Sequence, residues 1–118
     1  MVFQRFARAM RLSPLDPVSS LRQVGTAHAH FFANRYHEAS VWAEMVLREQ
    51  GYLHAALRIA TASAALAGRA EEAKRLSTRL QQLDPALRVS NLRDVLGPYK
   101  PEAIAKYEEG LRKAGLPE

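Results

Sequence analysis

Asn34-Arg35-Tyr36-His37-Glu38-Ala39 and Gly68-Arg69-Ala70-Glu71-Glu72-Ala73 decide the fold. Laid one over the other, with Asn34 on Gly68 and Ala39 on Ala73, Arg, Glu and Ala coincide. At the same offset Gly51 falls on Pro85, both helix-ending residue types, and Val46 falls on Leu80, both core-like. Gly68 suits a backbone of positive φ between two helices. A period of this length marks stacked helix pairs, because one pair cannot bury its apolar face alone.

Working outward, apolar residues recur at helical spacing along most of the chain. Phe3, Phe6 and Met10 begin one apolar face, which Pro14 and Pro17 end. Asp16-Pro17 reads as an N-cap followed by proline at the first helical position. The helix it opens carries Leu21, Val24, Phe31 and Phe32, and Asn34-Arg35 breaks it. Further helices are expected from Tyr36 to Gln50, from Tyr52 to Ala67 and from Ala70 to Leu83. Asp84-Pro85 repeats the cap-plus-proline pattern. A short helix from Asn91 to Leu96 is expected to start at a Ser90 cap, and Gly97-Pro98 stops it. Pro101 opens a last helix, with Ile104, Tyr107 and Leu111 inward and Gly115 as its stop. That makes seven helices and no strand, an all-α chain.

Composition agrees. The 118 residues include 20 Ala and 15 Leu against 7 Val and 2 Ile, which favours helices over strands. The absence of Cys excludes disulfides, thiolate metal sites and cysteine catalysis. No apolar run reaches the roughly 18 to 20 residues that span a bilayer, and the start of the chain lacks the apolar core of a secretory signal. A cytoplasmic location without membrane contact is the expectation. The net charge of +5 raises nucleic acid as a partner, but the basic residues are spread along the chain.

A helix–turn–helix unit of about 34 residues resembles the tetratricopeptide repeat. Residues 20–53 supply Ala27, His30, Asn34, Ala39, Ala43, Val46 and Gly51 at the positions of that family's pattern. Residues 54–87 supply Thr61, Ala64, Gly68, Ala73, Ser77, Leu80 and Pro85. The shared Ala39 and Ala73 match best. The family's aromatic positions hold His30, Thr61, Ala43 and Ser77 instead. Residues 1–14 look like the second helix of a further repeat, and 88–118 like terminal capping helices. The linker Ala9-Met10-Arg11-Leu12-Ser13-Pro14-Leu15-Asp16-Pro17 and the ending Gly110-Leu111-Arg112-Lys113-Ala114-Gly115-Leu116-Pro117 are similar to repeat regions of bacterial signalling proteins. There they follow class III adenylate or guanylate cyclase domains, or winged-helix regulator domains. The expectation is one domain over 1–118, a right-handed α–α superhelix cut from a longer array.

The resemblance implies a groove lined by the first helix of each repeat. Carried over, its residues are Leu21, Val24, His28, Phe31 and Phe32, then Ala55, Arg58, Ala62, Ala65 and Leu66. This surface is mostly apolar, with His28 and Arg58 as polar anchors, and a protein or peptide is its expected partner. The family's carboxylate clamp of Lys and Asn is not matched by Val24 and His28. A second expectation is a homodimer through Phe3, Phe6 and Met10, whose own partner helix is missing.

Other chemistry finds little support. His28 and His30 lie about 200° apart on one helix, and no HxxxH or HExxH spacing joins His28, His30, His37 and His54. No metal or cofactor is expected. Glu38, Glu71 and Glu72 sit near helix N-termini, where they favour the dipole, and Glu71 and Arg75 are spaced to pair. No nucleophile elbow, P-loop or catalytic constellation occurs. Lys74, Arg75 and Arg79, like Arg5, Arg8 and Arg11, read as solvated faces. Tyr99 and Lys100 near Arg93 are the weak remaining hint of nucleic-acid contact.

Overall fold

A computed structural model of the chain describes residues 17–49 and 53–118, with side chains from residue 21 onward. Phe3, Phe6 and Met10, and the dimer contact expected of them, lie outside the described residues. Six α-helices follow in order: α1 (Pro17–Phe32), α2 (Tyr36–Glu49), α3 (Leu53–Leu66), α4 (Ala70–Leu83), α5 (Leu92–Leu96) and α6 (Pro101–Ala114). A single 3-10 turn, Val89–Asn91, leads into α5. The fold is all-α, and no strand occurs among the described residues.

The sequence period is present in the backbone. The bounds of α2, shifted by the offset that carries Asn34 onto Gly68, give those of α4, and the end of α1 gives the end of α3. The turns match bond for bond. Asn34 N–H donates to Phe31 O at 3.0 Å and Arg35 N–H to His30 O at 2.8 Å. Gly68 N–H donates to Ala65 O at 3.2 Å and Arg69 N–H to Ala64 O at 2.9 Å. These are two copies of the same left-handed helix stop, with φ of 67° at Asn34 and 83° at Gly68. Asn tolerates that conformation because its short polar side chain bonds locally. Here Asn34 Oδ1 accepts from the Tyr36 hydroxyl at 3.0 Å and from the Lys106 ammonium.

Helix α3 is the centre of the molecule. Its residues from Ile59 to Ala65 are all buried, and it packs on α1, α2, α4 and α6. The low-charge sequence of α3 is what a helix covered on every side requires. α6 lies across α3 and touches α4 only marginally. The crossing is close because position 110 is glycine. A Cβ there would come within 2.9 Å of Ala62 O and 3.0 Å of the Ala62 Cα. The main core joins Ala27 and Phe31 of α1, Ala39 and Ala43 of α2, Leu57 and Ile59 of α3, Leu76 and Leu80 of α4, and Tyr107 and Leu111 of α6.

Two local expectations are corrected. Asp84-Pro85 opens a turn and not a helix: Asp84 caps the end of α4 through its N–H to Leu80 O at 2.8 Å. Ser90 does not cap α5. Its N–H donates to Glu118 O at 3.1 Å and its hydroxyl to the same oxygen, while Arg88 N–H finds Asn91 Oδ1 at 2.9 Å. Val89 N–H to Pro117 O at 2.9 Å completes a clasp between residues 89–90 and 117–118. Sequence-local rules for caps fail here because the partner comes from the far side of α6.

Candidate functional site

The ten groove residues implied by the resemblance do not form an open groove. Val24 and Ala65 are nearly covered, Phe31 and Ala62 are completely buried, and His28 is 9% exposed. Phe32, Ala55, Arg58 and Leu66 are half-buried, and Leu21 is the exposed one, at 53%. Val24 packs on Val46 of α2 and Ala56 of α3, and for His28, Phe31, Phe32 and Ala62 the physical reason is α6. Tyr107 enters between α1 and α3, with its ring 5.2 Å from Phe31, 6.4 Å from Phe32 and 5.7 Å from His28 between centroids. Gly110 meets Ala62. The chain's own helix therefore fills the face on which a ligand was expected.

What remains is an aromatic cluster with a polar centre. His28 Nδ1 is 2.8 Å from Val24 O, a pure acceptor, so this nitrogen carries the hydrogen. Nε2 is then free to accept from the Tyr107 hydroxyl at 3.4 Å. Burial lowers the His28 pKa below its ordinary value. The Val24 hydrogen bond opposes that shift and the nearby Arg58 charge adds to it. His28 is thus a neutral core histidine. Burial likewise pushes the Tyr107 hydroxyl far above its ordinary range, with Arg58 pulling it back. Neither group is placed to exchange a proton with a substrate near neutral pH.

Arg58 is the odd member. It is the only Lys, Arg, Asp or Glu in α3. Its guanidinium reaches the Tyr107 hydroxyl and lies near His28, shifting both, while its Nε is buried without a hydrogen-bond partner among the described residues. A desolvated guanidinium N–H without an acceptor costs free energy that one carboxylate or carbonyl oxygen would recover. On the same aromatic cluster, Phe32 stacks on Tyr99 at 5.2 Å, and Tyr99 is 41% exposed. The sequence singles out Tyr99 only with Lys100 and Arg93. Arg93 instead faces Glu108 of α6 at 3.7 Å.

A second feature lies on the opposite helices. A cleft of about 490 Å³ between α2 and α4 is lined by Glu44, Leu47, Arg48, Arg69, Glu72, Arg75, Leu76 and Arg79. Arg75 pairs with Glu72, not with Glu71 as its spacing suggested. Arg69 Nη1 donates to Ser40 Oγ at 3.0 Å and its other nitrogen lies 3.9 Å from Glu44. Of these arginines the sequence groups only Arg75 and Arg79 into a charged face, because Arg48 and Arg69 come from other segments.

No family model, curated protein sequence or solved structure matches the chain. Among the described residues, no group of three His, Cys, Asp or Glu side chains could hold a metal ion. No described helix is long and apolar enough to cross a membrane.

Proposed function

We propose that this chain is a protein-binding module of the tetratricopeptide type, and that it recognises a peptide segment at the edge of the α1–α3–α6 face. The observation that carries this reading is Arg58: a half-buried guanidinium on an otherwise uncharged central helix, with an Nε that no described protein atom satisfies. The exposed Tyr99 and half-buried Phe32, in the aromatic cluster that Tyr107 shares, supply the apolar contact. Aromatic and arginine side chains are the usual anchors of protein interfaces. The recurrence of helix bounds and turn bonds from the first helix pair to the second supports the repeat type. A bacterial signalling protein with a cyclase or winged-helix domain is the parent this reading favours. Nucleic acid has little support, since the basic residues are spread along the chain.

The test is selection from a displayed peptide library, followed by titration of the selected peptides. Arg58→Ala and Tyr99→Ala should each weaken binding by about tenfold with the helical content unchanged. Peptides that bind both variants as tightly as the parent chain would overturn the assignment of this face.

A further inference from the structure

We infer that the α2–α4 cleft is a second, separate docking site, and that its occupant is an acidic protein segment in which carboxylates flank an apolar side chain. Four guanidiniums, Arg48, Arg69, Arg75 and Arg79, stand against two carboxylates, Glu44 and Glu72, so the lining carries a net charge of +2. Both carboxylates are already engaged, Glu72 by Arg75 and Glu44 by Arg69. Among the described residues, Arg48 and Arg79 have neither an ion pair nor a hydrogen bond to another side chain, and both are exposed. Leu47 and Leu76 form an apolar floor between them, Leu76 being 6% exposed and Leu47 half-buried.

These two layers select for a partner of matching pattern. The guanidinium is planar and binds a carboxylate through two parallel hydrogen bonds, which gives direction as well as charge. The apolar floor discriminates against a bare anion, because only a ligand with an apolar group covers the part of Leu47 that remains exposed. The whole chain carries +5, which draws an acidic partner from a distance and makes its arrival salt-dependent. The cleft volume of about 490 Å³ accommodates a few side chains. It sits on the second helix of each pair, whereas Arg58 and Tyr99 belong to α3 and the turn before α6. The two sites are therefore independent.

The probes are three labelled synthetic peptides alternating Glu with Leu, Gln with Leu, and Glu with Ser, followed by fluorescence anisotropy. The Glu–Leu peptide should bind, and the Arg48→Ala/Arg79→Ala double variant should weaken it by roughly tenfold or more. Both substituted residues are exposed, so circular dichroism and the thermal midpoint should stay near those of the parent chain. Arg58→Ala and Tyr99→Ala should leave this binding unchanged, which separates the cleft from the face proposed above. Equal affinity for the Glu–Ser peptide, or displacement by pyrophosphate at concentrations comparable to the peptide, would mark a plain anion site and overturn the proposal. So would binding that the double variant retains, or equal binding of the Gln–Leu peptide.

Discussion

Gly110→Ala against Gly25→Ala measures how closely α6 lies on α3. Both glycines are inside helices, where alanine is favoured by about 1 kcal/mol. Around Gly25 nothing lies within 4 Å of an added Cβ, and the residue is exposed. Gly25→Ala should therefore stabilise by about that amount. At Gly110 the same methyl would meet Ala62 O at 2.9 Å, Ala62 Cα at 3.0 Å and Ala62 Cβ at 3.0 Å. Two of these are backbone atoms, which cannot rotate aside, so α6 must move off α3 by a few tenths of an ångström. Overpacking of this kind costs about 1–3 kcal/mol. After the helical gain the expected net is a loss of about 1 kcal/mol, and the two variants should differ by about 2 kcal/mol. Urea unfolding at unchanged m-value reads both. The shift should also reach the aromatic cluster, because Tyr107 lies on the same helix, one turn before Gly110. Equal stabilisation by the two substitutions would refute the close crossing and, with it, the filling of the α1–α3 face.

Two further predictions concern that face. Phe31→Ala should cost about 3–5 kcal/mol, whereas Leu21→Ala should change stability by about 0.5 kcal/mol or less, since one is fully buried and the other 53% exposed. Similar small effects would mean that Phe31 is on the surface. Stability should also fall on the acid side through His28. Its folded pKa lies below the ordinary 6.5, so below about pH 6.5 the unfolded chain binds more protons than the native one. The contribution is complete above that pH and is lost, at up to about 1.4 kcal/mol per pH unit, until the lowered folded pKa is reached. Urea midpoints at about pH 7.5 and about pH 5.5 check this, and His28→Gln should flatten the difference.

The local part of the fold was legible in the sequence. Asn34, Gly68 and Gly115 stop helices because their left-handed backbone is encoded at one position. Pro17 and Pro101 start helices for an equally local reason. The spacing of Ile104, Tyr107 and Leu111 named the buried face of α6 correctly. What covers α1 was not legible. The His28–Tyr107 contact spans 79 residues, and no periodicity within α1 distinguishes a face turned to a ligand from one turned to a distant helix. The same limit hid the α2–α4 cleft, whose four arginines come from three segments of the chain. Arg58 was singled out by sequence, but whether its Nε finds a partner depends on residues distant in the chain.

The most direct test of the binding assignment is the Arg58 Nε–H resonance in a nitrogen–proton correlation spectrum recorded during titration with a selected peptide. This signal should shift with the same affinity as the bulk titration, together with amides around Phe32 and Tyr99. An Nε–H signal that stays in place while binding saturates would contradict the assignment.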